Sequence, residues 1–104
     1  MRRVLDAPPE WLYRQLNLPV LIDMTRLGDH VDEYFAKYRI AEKRSVDGLR
    51  LVFKDRSWVM FSPSGTEPKT RIYCEARDTL RLSELVETSR NLVERLARPT
   101  INVR

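Results

Sequence analysis

One cysteine, one histidine and three glycines in 104 residues leave little material for several common designs. Cys74 alone excludes an internal disulfide and suits a reducing compartment. His30 has no companions at metal-ligand or triad spacing, so it reads as a solvated residue near the start of a helix. Apolar runs are only a few residues long, too short for a transmembrane helix. Met1-Arg2-Arg3 leads into Asp6 and two prolines instead of an apolar h-region, so no secretory signal is read. The expected address is cytoplasmic, with no membrane partner.

Long blocks of one charge are also missing. The net charge is +4 and the pI about 9.6, yet 15 carboxylates are interspersed among the 19 basic residues. That balance suits anionic partners, but the mixing describes a salt-bridged surface better than a nucleic-acid stripe. The chain is long enough for one domain that buries roughly two-thirds of its unfolded surface.

Complete catalytic sets are missing too. Asp23, Asp29, Asp32 and Glu33 lack the carboxylate-glycine loop that a hard cation requires. Ser64 has no general base beside it. Cys74 falls on the inner face of its strand, where a structural thiol is expected. No catalytic and no metal-binding residues are therefore assigned, and no cofactor is expected in this chain.

What is present is a legible order of elements. Pro8-Pro9-Glu10 starts a short helical pattern, with Trp11, Leu12 and Leu16 on one face and Pro19 stopping it. Residues 1–18 read as a lead-in or hinge that must dock, since so short a helix is unstable alone. Val20 to Met24 reads as the first strand. Gly28 and Asp29 introduce a helix whose apolar stripe is Val31, Phe35 and Tyr38.

Asp47-Gly48 signals a turn, and Leu49, Leu51 and Phe53 alternate as a half-buried strand. Asp55-Arg56-Ser57 is a connection of hairpin length. Trp58 to Phe61 returns as a third strand, and Arg71 to Ala76 forms a fourth. Asp78 is placed to cap a final helix. Its stripe is Leu82, Leu85, Val86, Ser89, Leu92, Val93 and Leu96, and Pro99 ends it. The predicted fold is α+β: a two-layer β-α-β-β-β-α arrangement with two helices on one face of a four-stranded antiparallel sheet. The domain is expected over residues 19–98, with 99–104 as a tail.

The stretch Ser62-Pro63-Ser64-Gly65-Thr66-Glu67-Pro68-Lys69-Thr70-Arg71 joins the last two strands. Two readings fit its composition. One is a Pro/Gly-punctuated hairpin turn. The other is an anion cradle, with Gly65 permitting φ > 0, converging amides, hydroxyls of Ser64 and Thr66, and neutralising charge from Lys69 or Arg71. A straight chain would separate Thr66 from Arg71 by about 17 Å. They can share a ligand only if the loop doubles back at Gly65 and Pro68.

These residues carry a resemblance. Asp47-Gly48, Trp58-Val59 and Ser64-Gly65-Thr66-Glu67-Pro68-Lys69-x-Arg71-Ile72-Tyr73-x-Glu75-Ala76 together resemble the C-terminal domain of the α-D-phosphohexomutases, over about Val20 to Leu96. That family includes phosphoglucomutases, phosphomannomutases and phosphoglucosamine mutases. The resemblance implies a TATA-binding-protein-like fold and a loop that grips the non-reacting phosphate of a hexose phosphate such as glucose or mannose phosphate. It implies phosphate contacts for Ser64, Gly65, Thr66 and Arg71, and a weaker one for Lys69, with Glu67 and Pro68 shaping the loop.

The family usually carries an arginine where this chain has Ser62. Losing such a charge-assisted contact costs ~1.5–3 kcal/mol, roughly one to two decades of affinity. The family's phosphoserine stretch, aspartate-rich Mg²⁺ loop and sugar-reading loop have no counterpart here. Mg²⁺ is expected only in a full-length parent enzyme, and the expected partners are other mutase domains or a partner chain. By itself the chain should not catalyse the mutase reaction. The rival reading is a small nucleic-acid-binding module, resting on the pI and on Arg50 and Tyr73 on an open sheet face. A third reading is a structural remnant that docks on a partner through residues 1–18.

Overall fold

In a computed structural model, residues 10–97 are described. They form an α+β fold built on a five-stranded antiparallel sheet in the order β1-β5-β4-β3-β2. The strands are β1 (Leu12–Leu18), β2 (Ile40–Arg44), β3 (Leu49–Phe53), β4 (Trp58–Pro63) and β5 (Thr70–Ala76). Helices α1 (Met24–Gly28) and α2 (Val31–Tyr34) and a 3₁₀ turn (Ala36–Tyr38) lie between β1 and β2. Helix α3 (Thr79–Ala97) follows β5 and packs across β5 and β1.

The three central strands and α3 follow directly from alternation and periodicity. Leu49, Leu51 and Phe53 of β3, Val59 and Phe61 of β4, and Ile72, Cys74 and Ala76 of β5 are buried in one core. Leu85, Val86, Ser89, Leu92, Val93 and Leu96 of α3 are buried as the helical stripe requires, and partly buried Leu82 packs against the core. Asp78 caps α3 by accepting from the Arg81 amide at 2.8 Å. The expected end at Pro99 and the tail of residues 99–104 lie outside the described residues.

Four expectations are corrected. Residues 12–18 form an edge strand and not a helix, pairing with β5 from Leu12↔Ala76 to Leu18↔Thr70. Leu16 and Leu18 satisfy a two-residue period as well as Trp11, Leu12 and Leu16 satisfy a helical one. The free edge of β5 then decides, because it offers backbone partners that a short helix could not match. The lead-in is therefore part of the sheet, while Pro8 and Pro9 lie outside the described residues.

The second correction concerns Val20 to Met24, which is not a strand. Val20 donates to the Leu18 carbonyl at 2.7 Å across Pro19, so the chain turns off the sheet there. Asp23 then caps α1 by accepting from the Thr25 amide at 3.0 Å.

Third, the helix expected after Gly28 is broken in two at Phe35, whose φ of −110° and ψ of 17° leave the helical region. Val31, Phe35 and Tyr38 are buried all the same, since spacings of three and four residues stay on one helical face in either geometry. Phe35 and Tyr38 pack on Phe53, with ring centroids 5.6 and 5.7 Å away.

Fourth, the sheet has five strands where four were expected. The unforeseen strand β2 buries almost nothing of itself, with Ala41 to Arg44 all exposed. The α+β class and the antiparallel sheet with a long C-terminal helix packed on it are as expected.

Candidate anion site at the β4–β5 hairpin

The ladder between β4 and β5 runs down to Ser62↔Arg71 and Pro63↔Thr70. One further bond, from the Ser64 amide to the Lys69 carbonyl at 3.0 Å, closes the loop. The chain thus doubles back as a shared ligand requires. Pro68 sits at the bend: the Lys69 amide donates to the Glu67 carbonyl at 2.8 Å, an i→i+2 turn whose central φ matches the proline ring. Gly65 contributes differently from the expectation. It does not take up positive φ, and a Cβ placed on it would meet nothing within 4 Å. It leaves open space above the loop.

Ser64 is nearly buried, at 9% exposure. Its Oγ accepts from the amides of Thr66 at 3.3 Å and Glu67 at 3.2 Å. Two amides of the loop therefore do converge, but on the loop's own serine. The side chain of Thr66 is exposed beside it.

Lys69 is engaged elsewhere, 2.8 Å from a Glu67 carboxylate oxygen. The hydrogen bond from Lys69, then its charge, and to a smaller degree Arg71, hold the Glu67 carboxyl below its ordinary value. Arg71 is half-buried and makes no hydrogen bond or ion pair with any described residue. It stands directly across from Ser62 on the sheet face turned away from the helices. The structure thus brings Ser64, Gly65, Thr66 and Arg71 to one end of the hairpin and gives Lys69 a competing partner.

Two supports of this end bear on its geometry. Thr70 was not singled out in the sequence, because a threonine at a core-facing strand position carries no distinguishing signal. Its Oγ1 donates to the Val20 carbonyl at 2.7 Å and accepts from the Ile22 amide at 3.2 Å. That pins the segment leaving β1 onto the start of β5. Asp47-Gly48 packs on the other side. Ser62 Oγ donates to the Asp47 carbonyl at 3.4 Å, and Gly48 lies so close to β4 that a Cβ would collide with the Phe61 carbonyl oxygen.

Among the described residues there is no group of three or more His, Cys, Asp or Glu side chains that could hold a metal ion. No described helix is long and apolar enough to cross a membrane. On the open sheet face Tyr73 is only 8% exposed and Trp58 is fully buried. Trp58 donates to Glu75 at 3.0 Å and packs against Tyr13 at 6.4 Å. These aromatics are not presented as a platform for stacked bases.

No protein-family model matches the chain. It is 42% identical over 55 residues to a probable phosphoglucosamine mutase of Methanobrevibacter smithii, covering 53% of this chain and 12% of the relative. It is 39% identical over 59 residues to the phosphopentomutase of Thermococcus kodakarensis, covering 57% and 13%. A probable phosphoglucosamine mutase of Methanothermobacter thermautotrophicus is 32% identical over 73 residues, covering 70% of the chain and 16% of the relative. The matches thus span far less than two-thirds of those relatives' own length.

Proposed function

We propose, from the premise that this chain is homologous to one part of the phosphohexomutases, that it is the part that grips a sugar phosphate by its non-reacting phosphate. The TATA-binding-protein-like fold belongs to the same proposal. The observation that carries it is Arg71: a guanidinium with no hydrogen bond or ion pair to any described residue, set by the hairpin register below a loop of hydroxyls and open space.

In this reading the phosphate lies over Gly65 and accepts from the Ser64 and Thr66 hydroxyls. Arg71 meets it with a two-pronged fork. Lys69 can join only by leaving Glu67, so its contribution is smaller. Holding the distal phosphate fixes the sugar in line for phosphoryl transfer. The transfer itself needs a phosphoserine, a Mg²⁺ loop and a sugar-reading loop from other segments or another chain. The ligand class is a hexose or hexosamine monophosphate, the latter suggested by the phosphoglucosamine mutases among the relatives.

Titration of the chain with glucose 1-phosphate or inorganic phosphate, followed by amide chemical shifts, tests the proposal. The amides of Ser64, Gly65 and Thr66 are expected to move together, and to stay still in Arg71→Ala. Silence of all three in the unmodified chain, with ligand on the order of tens of millimolar, would overturn it.

A further inference from the structure

A second arginine shares the sheet face of Arg71, one strand over from Ser62. The β3–β4 ladder pairs Arg50 with Met60, and the β4–β5 ladder pairs Ser62 with Arg71. Met60 and Ser62 are two residues apart and share a face, so Arg50, Ser62 and Arg71 all lie on the open face of three adjacent strands. Arg50 is the diagonal neighbour of Ser62, with Cα atoms roughly 7–8 Å apart in such a pair. An extended arginine side chain spans that gap. Arg50 and Arg71 thus flank the serine from opposite sides.

Three further observations favour a bound anion over a solvated surface charge. Arg50 is half-buried and, like Arg71, makes no hydrogen bond or ion pair with any described residue. Directly opposite it on β2 stands another arginine, Arg44, and like charges in that position repel. Arg44 is tied to Glu42 at 2.8 Å, the one acidic residue of β2, which leaves Arg50 without a carboxylate partner on that strand. Finally, Arg50 lines a hollow of 310 Å³ with Arg44, Asp47, Val46 and Met60, so its side chain is reached from solvent. Its Asp47 wall is the residue whose carbonyl receives the Ser62 hydroxyl.

We propose that Arg50 is the second cation of the anion site, reaching the phosphate from β3 past the small side chain of Ser62. The inference rests on the phosphate-gripping reading above. Two guanidiniums around one monoester favour its dianion, whose second ionisation lies near pH 6. The small side chain of Ser62 leaves the path between them clear. The Asp47 carboxylate opposes an anion in the hollow itself, which places the ligand at the Ser62 side.

The test is calorimetric titration of the full 104-residue chain with inorganic phosphate and with glucose 1-phosphate at pH 7.5. The variants are Arg50→Ala, Arg50→Gln, Arg71→Ala, Lys54→Ala and the double variant Arg50→Ala/Ser62→Arg. Lys54 is exposed just past the far end of β3 and controls for loss of one positive charge. Expected are affinities about tenfold or more weaker in both Arg50 variants, unchanged in Lys54→Ala, and recovered in the double variant. Circular dichroism confirms folding of each. Binding by the unmodified chain that is lost in Arg71→Ala but intact in both Arg50 variants would overturn the Arg50 assignment and leave the gripping loop standing. Equal losses in Arg50→Ala and Lys54→Ala would also overturn it, as a general charge effect. No binding by the unmodified chain sinks both proposals together.

Discussion

Gly48 and Gly65 stand near the same end of the sheet and answer to opposite demands. Gly48 has a φ of 141° and presses on the Phe61 carbonyl, so a methyl there has neither a conformation nor a space. Gly48→Ala is expected to cost about 3 kcal/mol or more, at the upper end of ordinary substitutions, read as a lower urea midpoint. Gly65 has an ordinary φ and empty space. Gly65→Ala should leave stability unchanged or raise it by about 0.4–1 kcal/mol, while a methyl over the loop weakens phosphate binding. A stability loss in Gly65→Ala would show that the loop needs the glycine for its own shape.

Cys74 is a second residue whose surroundings set its chemistry. Burial pushes its thiol up to about 12, outweighing the Ser89 hydroxyl and Arg14, which pull it down. The folded pKa lies above the ordinary value of 9.0. Stability from keeping the thiol neutral is therefore complete below pH 9 and lost as pH climbs toward 12, because only the unfolded chain sheds its proton there. Tyr13, raised first by its own burial and then by Tyr73 and Glu75, adds to the same alkaline loss. Denaturation midpoints measured from pH 8 to 11 should fall, less steeply in Cys74→Ala. The native thiol should resist a colourless-to-yellow disulfide reagent that labels it at once in urea.

At the level of elements, β1 matters more than its seven residues suggest. It covers the edge of β5 from Thr70 to Ala76, and β5 carries both Arg71 and the fully buried Ile72, Cys74 and Ala76. Deleting the chain through Leu18 would leave an unpaired hydrophobic edge, the kind of surface that pairs with another copy. The shortened protein is expected to melt earlier and to elute as dimers or larger species in size-exclusion chromatography with light scattering. A stable monomer would mean that β1 is dispensable. Helix α3 is tied in at its far end by a different element: Arg26 Nη1 donates to the Leu96 carbonyl at 2.8 Å, placing a cation at the negative end of the helix dipole. Both contacts join segments far apart in sequence, so no local pattern announces them.

For the molecule as a whole, the proposed phosphate site would couple ligand binding to global stability. Ligand at ten times its Kd adds about 1.4 kcal/mol to the folded state, which raises the melting temperature by roughly 5 °C or more in a domain of this size. Differential scanning fluorimetry with glucose 1-phosphate should show that rise, shrinking with added salt because the site is partly open to water. Arg71→Ala should abolish it. The same ligand at a saturating level with no rise in the unmodified chain would mean that no phosphate is held. By itself the chain is expected to show no conversion between hexose phosphates.

Three core strands, the long stripe of α3, the Asp47-Gly48 turn and the Ser64–Arg71 loop were all legible in the sequence. Each buries one face along a local period, and local order records local burial. The doubled-back loop was readable as a condition, imposed by the distance from Thr66 to Arg71. Tertiary structure alone decided the rest. An edge strand such as β2, exposed along Ala41 to Arg44, has no buried face to write a pattern. In β1 the apolar spacing served helix and strand equally until β5 offered a partner. The two amides that turn toward Ser64, the capture of Lys69 by Glu67, and the row Arg50–Ser62–Arg71 all depend on register and loop closure. Register is a relation between strands, set by which faces they bury together, and it becomes visible only when the strands meet.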